Sequence, residues 1–485
     1  MSLGLIKIWH YLFEKLFGLT HLSGIQELCL FGFNSAHSNV IGKRKQVLLF
    51  LGCIVCDKIE FSKFYHRLLV RGIFAPECIK LRQRIIAFLG TNYFKIEKRF
   101  EPSNHIFNVF GTLHSEEDIL AFLKNEQKIK LNLNRPLWEL HFFENYSESD
   151  IKPTNESDEK DLKSAIILKI HSSIADSISL SYLIRKISDE FQSTEPTLQK
   201  IENYSKLTAF ERISFYLQLP FYFQSSILQL FSKGNTPIFE KNRDQGVIQD
   251  ELMLDKGYNL EKVKRLSKKL NLSFTELYTM IINLAISDYL RKHFADRFTN
   301  IKKKHSIEYM IPFSCGEFNS SNHQMMGNNS APVFIELPLA EMKDDAKAVF
   351  LSGAYNIKKM FMKYKNTQEA KKILEYYKLL TFYLPASLIA KISAYPNQTH
   401  LFTITSFQEQ NNCLYIDNKQ IIKYLFAFGS QSLDYAQISL VRYADKVHTL
   451  YSSRNQSSLK YIENPKLLLK IIHYYLDLAI NTFQI

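Results

Sequence analysis

The amino-acid sequence predicts an α/β protein in which short buried strands alternate with amphipathic helices. Residues 165–170 form an apolar run typical of a buried strand, and a helix follows after Asp176 with apolar side chains at helical spacing. In the second half, consecutive helices at 260–270 and 274–294 precede a strand at 306–314. A length of 485 residues suggests two or three domains with ample core.

The charge balance favours anionic partners. Lys and Arg number 61 against 48 Asp and Glu, which leaves a net charge of +13. Nucleic acid, anionic lipid head groups and the phosphates of coenzyme A are candidate partners for such a surface. The sequence has no Cys/His zinc spacing and no aromatic RNA-recognition signature, so nucleic acid is not predicted as a partner. A lipid surface or a phosphorylated small molecule remains.

The cysteines predict neither a disulfide framework nor a metal site. There are six, and they are scattered along the chain. Cys53 and Cys56 form a single Cys-x-x-Cys inside an apolar run, with no second pair to complete a metal site. We expect both to be buried strand residues, in a protein of a reducing compartment.

The first twenty residues predict an amphipathic helix without the long uncharged core and cleavage site of a signal peptide. Such a helix lies either in a membrane interface or against its own domain, and the sequence leaves both interpretations open. Its apolar face contains Leu5, Ile8, Trp9, Leu12, Phe13, Leu16 and Phe17.

A second candidate for membrane contact is the uncharged stretch at 213–232, flanked by Arg212 and Lys233. Its twenty residues have the length of a bilayer span, but three Gln, four Ser and the central Pro220 argue against spanning. A kinked segment at the membrane interface and a buried interdomain crossover are the two interpretations.

Two neighbouring stretches predict the most distinctive local structure. Pro136 starts an extended segment in which Trp138, Leu140 and Phe142 alternate with polar residues, as in a half-buried strand. The strand at 165–170 leads into the turn 171–176, which we call the motif turn. It holds a titratable His171 and the capping Asp176, a plausible place for chemistry. A histidine and a capping carboxylate also occur in turns whose polar groups are hydrogen-bonded and have no catalytic role. The local pattern alone therefore leaves a functional and a purely structural turn open.

The motif turn resembles the His-His-x-x-x-Asp-Gly motif of coenzyme-A-dependent acyltransferases with the chloramphenicol-acetyltransferase fold. His171 takes the place of the first His, Asp176 that of the Asp and Ser177 that of the Gly. Ser172 stands where the second His, the general base of that family, is expected. The Pro-Leu-Trp-Glu string at 136–139 resembles the wax ester synthase/diacylglycerol acyltransferase family.

Further along the chain, Gly327 and Asn328 precede a strand that ends in Leu-Pro, again as in the wax ester synthase/diacylglycerol acyltransferase family. Other positions depart from the family pattern. Thr275 and Glu276 replace an Asn-Asp pair, and residues 406–410 replace an Asn-Val-Pro-Gly-Pro turn.

The resemblance implies an α/β fold of two chloramphenicol-acetyltransferase-like sandwich domains with an interdomain channel. The expected divisions are an amphipathic segment at 1–34, a motif-bearing domain at 35–205, a crossover at 206–250 and a second domain at 251–485. It also implies acyl transfer from acyl-CoA, as co-substrate, to diacylglycerol or a long-chain alcohol at a membrane or lipid-droplet surface. The location would be cytosol-facing, on endoplasmic reticulum or lipid droplets. Neither a bound cofactor nor a metal is implied.

The resemblance assigns Asp176 a structural role and leaves the base in question. The hydroxyl of Ser172 is a very weak base near neutral pH, whereas imidazole titrates close to it. His171 is the nearest substitute, but adjacent strand residues point to opposite faces, so it is expected to face away from the channel. His141 is a more distant substitute. Two hypotheses follow: an O-acyltransferase with a weakened site, and a catalytically silent relative that binds acyl chains or CoA.

Overall fold

The computed structural model describes most of the chain outside its predicted connections. The described residues are 11–12, 14–22, 26, 48–88, 91–147, 162–190, 213–218, 250–293, 306–314, 325–340, 345–366, 369–384, 402–408, 413–430, 436–454, 462 and 464–485. The start of the predicted N-terminal helix, the connection at 148–161 and most of the crossover at 219–249 lie outside these ranges.

The described residues of the N-terminal half form seven strands. They are β1 (Leu19–His21), β2 (Leu48–Asp57), β3 (Gln83–Phe88), β4 (Thr91–Ile96), β5 (Ile106–Leu113), β6 (Trp138–Tyr146) and β7 (Lys163–His171). Strands β1, β4 and β3 form a small sheet, and β2, β7, β6 and β5 lie side by side in a larger one. The predicted strand around Trp138 and the predicted motif strand are both confirmed as β6 and β7.

Helices α1 (Phe61–Arg67), α2 (Glu116–Lys128) and α3 (Ser177–Ile187) accompany these strands. Helix α1 continues as a π-helical turn over Leu68–Ile73. Helix α3 buries Leu180, Leu183 and Ile184, the face that its apolar spacing predicts. Helix α2 lies over the other face of the sheet, because Ile119 and Leu123 share a core cluster with Ala165 and Ile167 of β7. The motif strand is therefore covered on both faces.

The C-terminal half is built on a second sheet of β8 (Asp250–Leu254), β9 (Tyr258–Asn259), β10 (Ser306–Ser314), β11 (Ser330–Pro338), β12 (Phe402–Gln408), β15 (Ala436–Tyr443) and β16 (Lys446–Arg454). The order across this sheet is β11-β10-β12-β15-β16-β8, with β9 paired to β16. Helices α4 (Leu260–Leu270), α5 (Phe274–His293), α6 (Ala346–Asn366), α7 (Glu369–Tyr383) and α8 (Pro465–Phe483) belong to this half. One face of the sheet and these helices form the largest apolar core.

Two strands leave the second half of the chain and join the first sheet. Strand β13 (Tyr415–Ile416) pairs with β14 (Lys419–Ser430), and β14 pairs antiparallel with β2, giving the sheet order β13-β14-β2-β7-β6-β5. Gly52 of β2 makes this pairing close, because a Cβ there would lie 2.4 Å from Cζ of Phe426. The division at 206–250 stays a prediction for the chain. The first sheet contains strands from both sides of that division, whereas the second sheet contains strands from residue 250 onward.

Cys53 and Cys56 lie buried in β2, as predicted. Burial raises the pKa of the Cys53 thiol to about 12, which keeps this side chain in its thiol form. Among the helices within the described ranges, none combines the length and the apolar character needed to cross a bilayer.

Candidate active site

The motif turn connects the end of β7 to the start of α3 and lies between the two halves of the chain. All four of its polar side chains, His171, Ser172, Ser173 and Asp176, are at most 4% exposed. The predicted helix cap is confirmed, because Oδ1 of Asp176 accepts a hydrogen bond of 2.9 Å from the Ser179 backbone N–H.

Asp176 also joins the motif turn to the C-terminal half. Its Oδ2 accepts from the backbone N–H of Asn329 at 3.1 Å and from the Ser330 hydroxyl at 3.4 Å. Its own N–H donates to the carbonyl of Gly327 at 3.0 Å. These contacts hold the motif turn against the segment 327–330, and the structural role that the resemblance assigns to Asp176 stays a prediction.

The segment 327–330 contacts the motif turn, although about 150 residues separate the two in the sequence. Nδ2 of Asn328 donates to the carbonyl of Ser172 at 2.9 Å, and its Oδ1 accepts from the Ser330 N–H at 3.1 Å. The Ser179 hydroxyl donates to the Gly327 carbonyl at 2.8 Å. Sequence reasoning assigned Gly327 and Asn328 to a turn before a strand and missed that they hold the motif turn, because no local pattern signals so distant a partner.

The protonation state of His171 follows from its contacts. The Ser173 backbone N–H, which can only donate, points at Nδ1 over 3.1 Å, and the Ser173 hydroxyl lies 2.8 Å from the same atom. Nδ1 is therefore an acceptor, and the ring proton is on Nε2. Burial lowers the pKa of His171 from 6.5 to about 3, so the ring is neutral at physiological pH. With its acceptor nitrogen occupied, His171 offers a hydrogen-bond donor at Nε2 and no base.

Two polar atoms of the motif turn have no hydrogen-bond partner within the structure described: Nε2 of His171 and Oγ of Ser172. Both are donors buried away from water, and each such group costs roughly 1–3 kcal/mol when it is left unpaired. A ligand carbonyl oxygen that reached either atom would accept its hydrogen bond. The roles of His171 and Ser172 in catalysis stay predictions.

His141 lies too far along the sheet to serve the motif turn. It pairs with Ile167 of β7, four residues before His171, which is roughly 13 Å along a strand. Its Nε2 is 3.8 Å from Oε2 of Glu126, and Glu139 completes a group with the spacing of metal ligands. The ammonium of Lys169 already lies 2.9 Å from the same Glu126 oxygen, so the carboxylates have a cationic partner.

The two departures from the family pattern have local structural explanations. Glu276 accepts from the Ser273 N–H at 2.6 Å while its own N–H donates to the Ser273 hydroxyl at 3.4 Å, a reciprocal cap at the start of α5. Residues Ser406, Phe407 and Gln408 continue β12, where the family has a turn.

Lys80 is a further residue of the site that sequence reasoning missed. It lies in a 3₁₀ segment (Pro76–Arg82), is 6% exposed, and its Nζ is 5.1 Å from the ring centroid of Phe94. A Cβ built on Gly327 would lie 3.1 Å from this Nζ, so the ammonium lies directly against the segment that holds the motif turn. Burial lowers the pKa of Lys80 to about 8, and the negative charge of Asp176 opposes that lowering.

The C-terminal sheet opens toward the motif turn. The parallel strands β10 and β12 pair only at Tyr309↔Phe402 and Met310↔Thr403, whereas β12 pairs with β15 along its whole length. Beyond Met310 and Thr403 the two strands are no longer paired. This unpaired end of β10 lies beside Ser330, whose hydroxyl donates to Asp176. Oγ of Ser314, at this end of β10, has no hydrogen-bond partner in the described part of the chain.

No family model and no curated protein sequence matches this chain. Solved structures do. The wax ester synthase/diacylglycerol acyltransferase from Marinobacter aquaeolei VT8 aligns with a TM-score of 0.54 at 14% identity, over 90% of this chain and 96% of that one. The TRI3 trichothecene 15-O-acetyltransferase from Fusarium sporotrichioides aligns with a TM-score of 0.61 at 14% identity, over 94% and 95%.

The first condensation domain of the calcium-dependent antibiotic synthetase, in complex with a substrate analogue, aligns with a TM-score of 0.55 at 11% identity, over 96% of this chain and 97% of that one. Such low identities establish the architecture alone. The predicted fold class and the structural resemblance are confirmed: the chain has the two-domain chloramphenicol-acetyltransferase-like fold of acyltransferases and condensation domains.

Proposed function

We propose that this protein is a membrane-associated O-acyltransferase that moves an acyl group from acyl-CoA to diacylglycerol or a long-chain alcohol. The observation that carries the proposal is the motif turn itself. It is buried between the two halves, held by Asp176 and Asn328, and presents the unpartnered donors His171 Nε2 and Ser172 Oγ.

In the proposed reaction the acceptor hydroxyl oxygen attacks the thioester carbonyl carbon, an ester forms and the carbon–sulfur bond breaks. The departing thiolate of CoA takes up the proton that the hydroxyl loses. A carbonyl oxygen at the motif turn would accept from the Nε2–H of His171 or the hydroxyl of Ser172, and positioning of the two reactants supplies the rest of the rate.

The missing base makes the proposed activity weak. General-base assistance contributes roughly 10²–10⁴-fold, and neither Ser172 nor the Nε2-protonated ring of His171 supplies it. The same observation favours a second candidate function, in which the protein binds acyl-CoA or acyl chains without turnover.

The variant Ser172→His separates these two functions. We expect it to raise the rate of product formation at least tenfold with labelled acyl-CoA and either diacylglycerol or a long-chain alcohol, on the scale of general-base catalysis. Ser62→His on an exposed turn of α1 is the control and is expected to leave the rate unchanged. Binding of acyl-CoA by a wild type and a Ser172→His variant that are both inactive would favour the silent binder. Full wild-type activity that survives His171→Ala would contradict the assignment of a weakened site.

Membrane association is supported by two exposed apolar surfaces. Leu16 is 72% exposed next to the exposed Phe17, and Leu217 is 70% exposed next to the exposed Tyr216. Lys15, beside the first surface, places a cation where anionic head groups would lie.

Helix α7 connects these two surfaces. His21 meets the ring of Phe382 over 5.8 Å, and Phe215 packs with Tyr376 and Leu380 of the same helix. The chain beside each surface therefore packs against α7, which supports the proposal that the two surfaces act together.

Vesicle flotation tests this part of the proposal. The double variant Leu16→Glu/Leu217→Glu is expected to lose most of its binding to vesicles containing anionic lipid, since two charges enter the interface. Leu351→Glu, at another exposed apolar position on α6, serves as the matched control. Equal flotation of wild type and the double variant would contradict the docking face.

A further inference from the structure

A row of buried polar side chains lies on the face of the C-terminal sheet opposite its helices. Thr403 and Thr405 of β12 and Gln437 and Ser439 of β15 form this polar row, and each is at most 3% exposed. Their strand neighbours Phe402, Ile404, Ala436 and Ile438 point the other way, into the main apolar core. The polar row is therefore aligned on one face, in register across two parallel strands.

Half of the polar row is satisfied internally and half is not. The Thr405 hydroxyl donates to the Ser439 hydroxyl at 3.1 Å. The Oγ1 of Thr403 and the Oε1 of Gln437, which are partners in the strand register, have no hydrogen-bond partner within the structure described. An apolar sheet face would avoid the cost of two buried unpaired groups, so their presence points to a ligand that pairs with them.

The position of the polar row connects it to the motif turn. Phe407 lies on the same face two residues beyond Thr405, and its ring is 5.9 Å from that of Phe50. Phe50 pairs with Ile170, the neighbour of His171. Thr403, four residues before Phe407, is roughly 13 Å from this contact along the strand. It is also the last β12 residue paired with β10 before the sheet opens.

The chemistry of the pair limits its ligand. Thr403 offers a hydroxyl donor and Gln437 an amide oxygen acceptor, and the polar row contains no charged residue. A hydroxyl or an amide satisfies both atoms, an ester carbonyl satisfies only Thr403, and a hydrocarbon chain satisfies neither. A carboxylate or phosphate would lack a cationic partner in this row and is disfavoured.

We propose that Thr403 and Gln437 are substrate-binding residues that hydrogen-bond an uncharged polar group of a substrate, separate from the group that reacts. The inference rests on the proposed acyl transfer and narrows its substrates. The pantetheine arm of acyl-CoA carries amides and a hydroxyl, and diacylglycerol carries ester carbonyls. A plain long-chain alcohol has no second polar group and is the poorer acceptor.

The test uses the full chain with the apolar isosteres Thr403→Val and Gln437→Met. Dissociation constants are measured for palmitoyl-CoA, for dioleoylglycerol in detergent micelles and for hexadecanol in the same micelles. We expect affinity for at least one of the first two ligands to fall about tenfold, the equivalent of one hydrogen bond. Hexadecanol binding is expected to stay unchanged.

The two variants identify the bound group. A loss confined to palmitoyl-CoA in both variants assigns the polar row to the donor arm. A loss confined to dioleoylglycerol in Thr403→Val assigns it to the ester of the acceptor.

Unliganded stability gives a second readout. Thr403→Val is expected to raise Tm by about 2 °C because it removes an unpaired group. Thr405→Val, the control, is expected to lower Tm because it breaks the bond to Ser439.

Ligand binding by the wild type separates the role of the polar row from the proposed function. If wild type binds the ligands and both variants bind them equally within twofold, the role of the polar row is wrong and the proposed function stands. If wild type binds none of the three ligands, the proposed function fails and this inference fails with it.

Discussion

The buried neutral state of His171 predicts a specific loss of stability in acid. The free ring titrates at 6.5, and burial lowers the pKa of His171 to about 3 in the folded protein. The unfolded chain therefore binds a proton between these two values and the folded chain does not. His171 contributes stability that is fully present above pH 6.5 and is lost as the pH falls toward 3.

The size of the stability loss follows from the difference between the two pKa values of His171. A difference of three to four pH units corresponds to roughly 5 kcal/mol over the whole range, and the part lost between pH 7.5 and pH 5 is about 2 kcal/mol. His171→Asn removes the titration and keeps an acceptor for the Ser173 N–H. The variant is less stable overall because loss of the ring leaves a cavity. The quantity to compare is therefore the change in the free energy of unfolding with pH.

Urea unfolding at pH 7.5 and pH 5.0 measures this change. The fluorescence of Trp138, which is buried beside the motif strand, is the signal, in a Trp9→Phe background that removes the second tryptophan. The pH-dependent loss is expected to be about 2 kcal/mol smaller in His171→Asn than in the parent. His66→Asn, at an exposed position of α1, is the control and should match the parent. The same loss in all three proteins would refute the neutral, buried His171.

Two further predictions concern packing and charge. Gly52→Ala should reduce the free energy of unfolding by about 1–3 kcal/mol, because its Cβ would lie 2.4 Å from the buried ring of Phe426. The double variant Gly52→Ala/Phe426→Leu should recover part of this loss. An unchanged urea midpoint in Gly52→Ala would contradict the close strand pairing. Lys80→Met should stabilise the protein by up to about 3 kcal/mol near pH 7, since burial lowers the pKa of Lys80 from 10.5 to about 8 and the unfolded chain holds that proton more tightly. The advantage of Lys80→Met should shrink as the pH rises from 8 to 10.5, and a constant advantage in urea titrations across that range would mean that lost packing rather than charge governs the variant.

Local sequence patterns predicted part of the fold. Alternation of apolar residues predicts β6, the apolar run predicts β7, and the helical spacing after Asp176 predicts α3. The predicted strand at 306–314 coincides with β10. These elements depend on side-chain periodicity and on hydrogen bonds within a few residues, which are written in the sequence itself.

Other elements had no local signal. Helix α7 was not predicted, and β14 had no pattern that assigns it to a sheet begun by residues 48–57. The pairing partner of a strand depends on packing against distant residues, and periodicity does not specify that partner.

For the candidate site, the sequence by itself determined the place and the residue types: a strand-to-helix turn with His171, a serine in the position of the expected base and a capping Asp176. Only the tertiary structure decided what those groups can do. The Ser173 N–H fixes the proton of His171 on Nε2, and Asn328 holds Ser172 from across the fold. Protonation and positioning depend on desolvation and on contacts between residues far apart in the chain, and these exist only once the two halves have packed together.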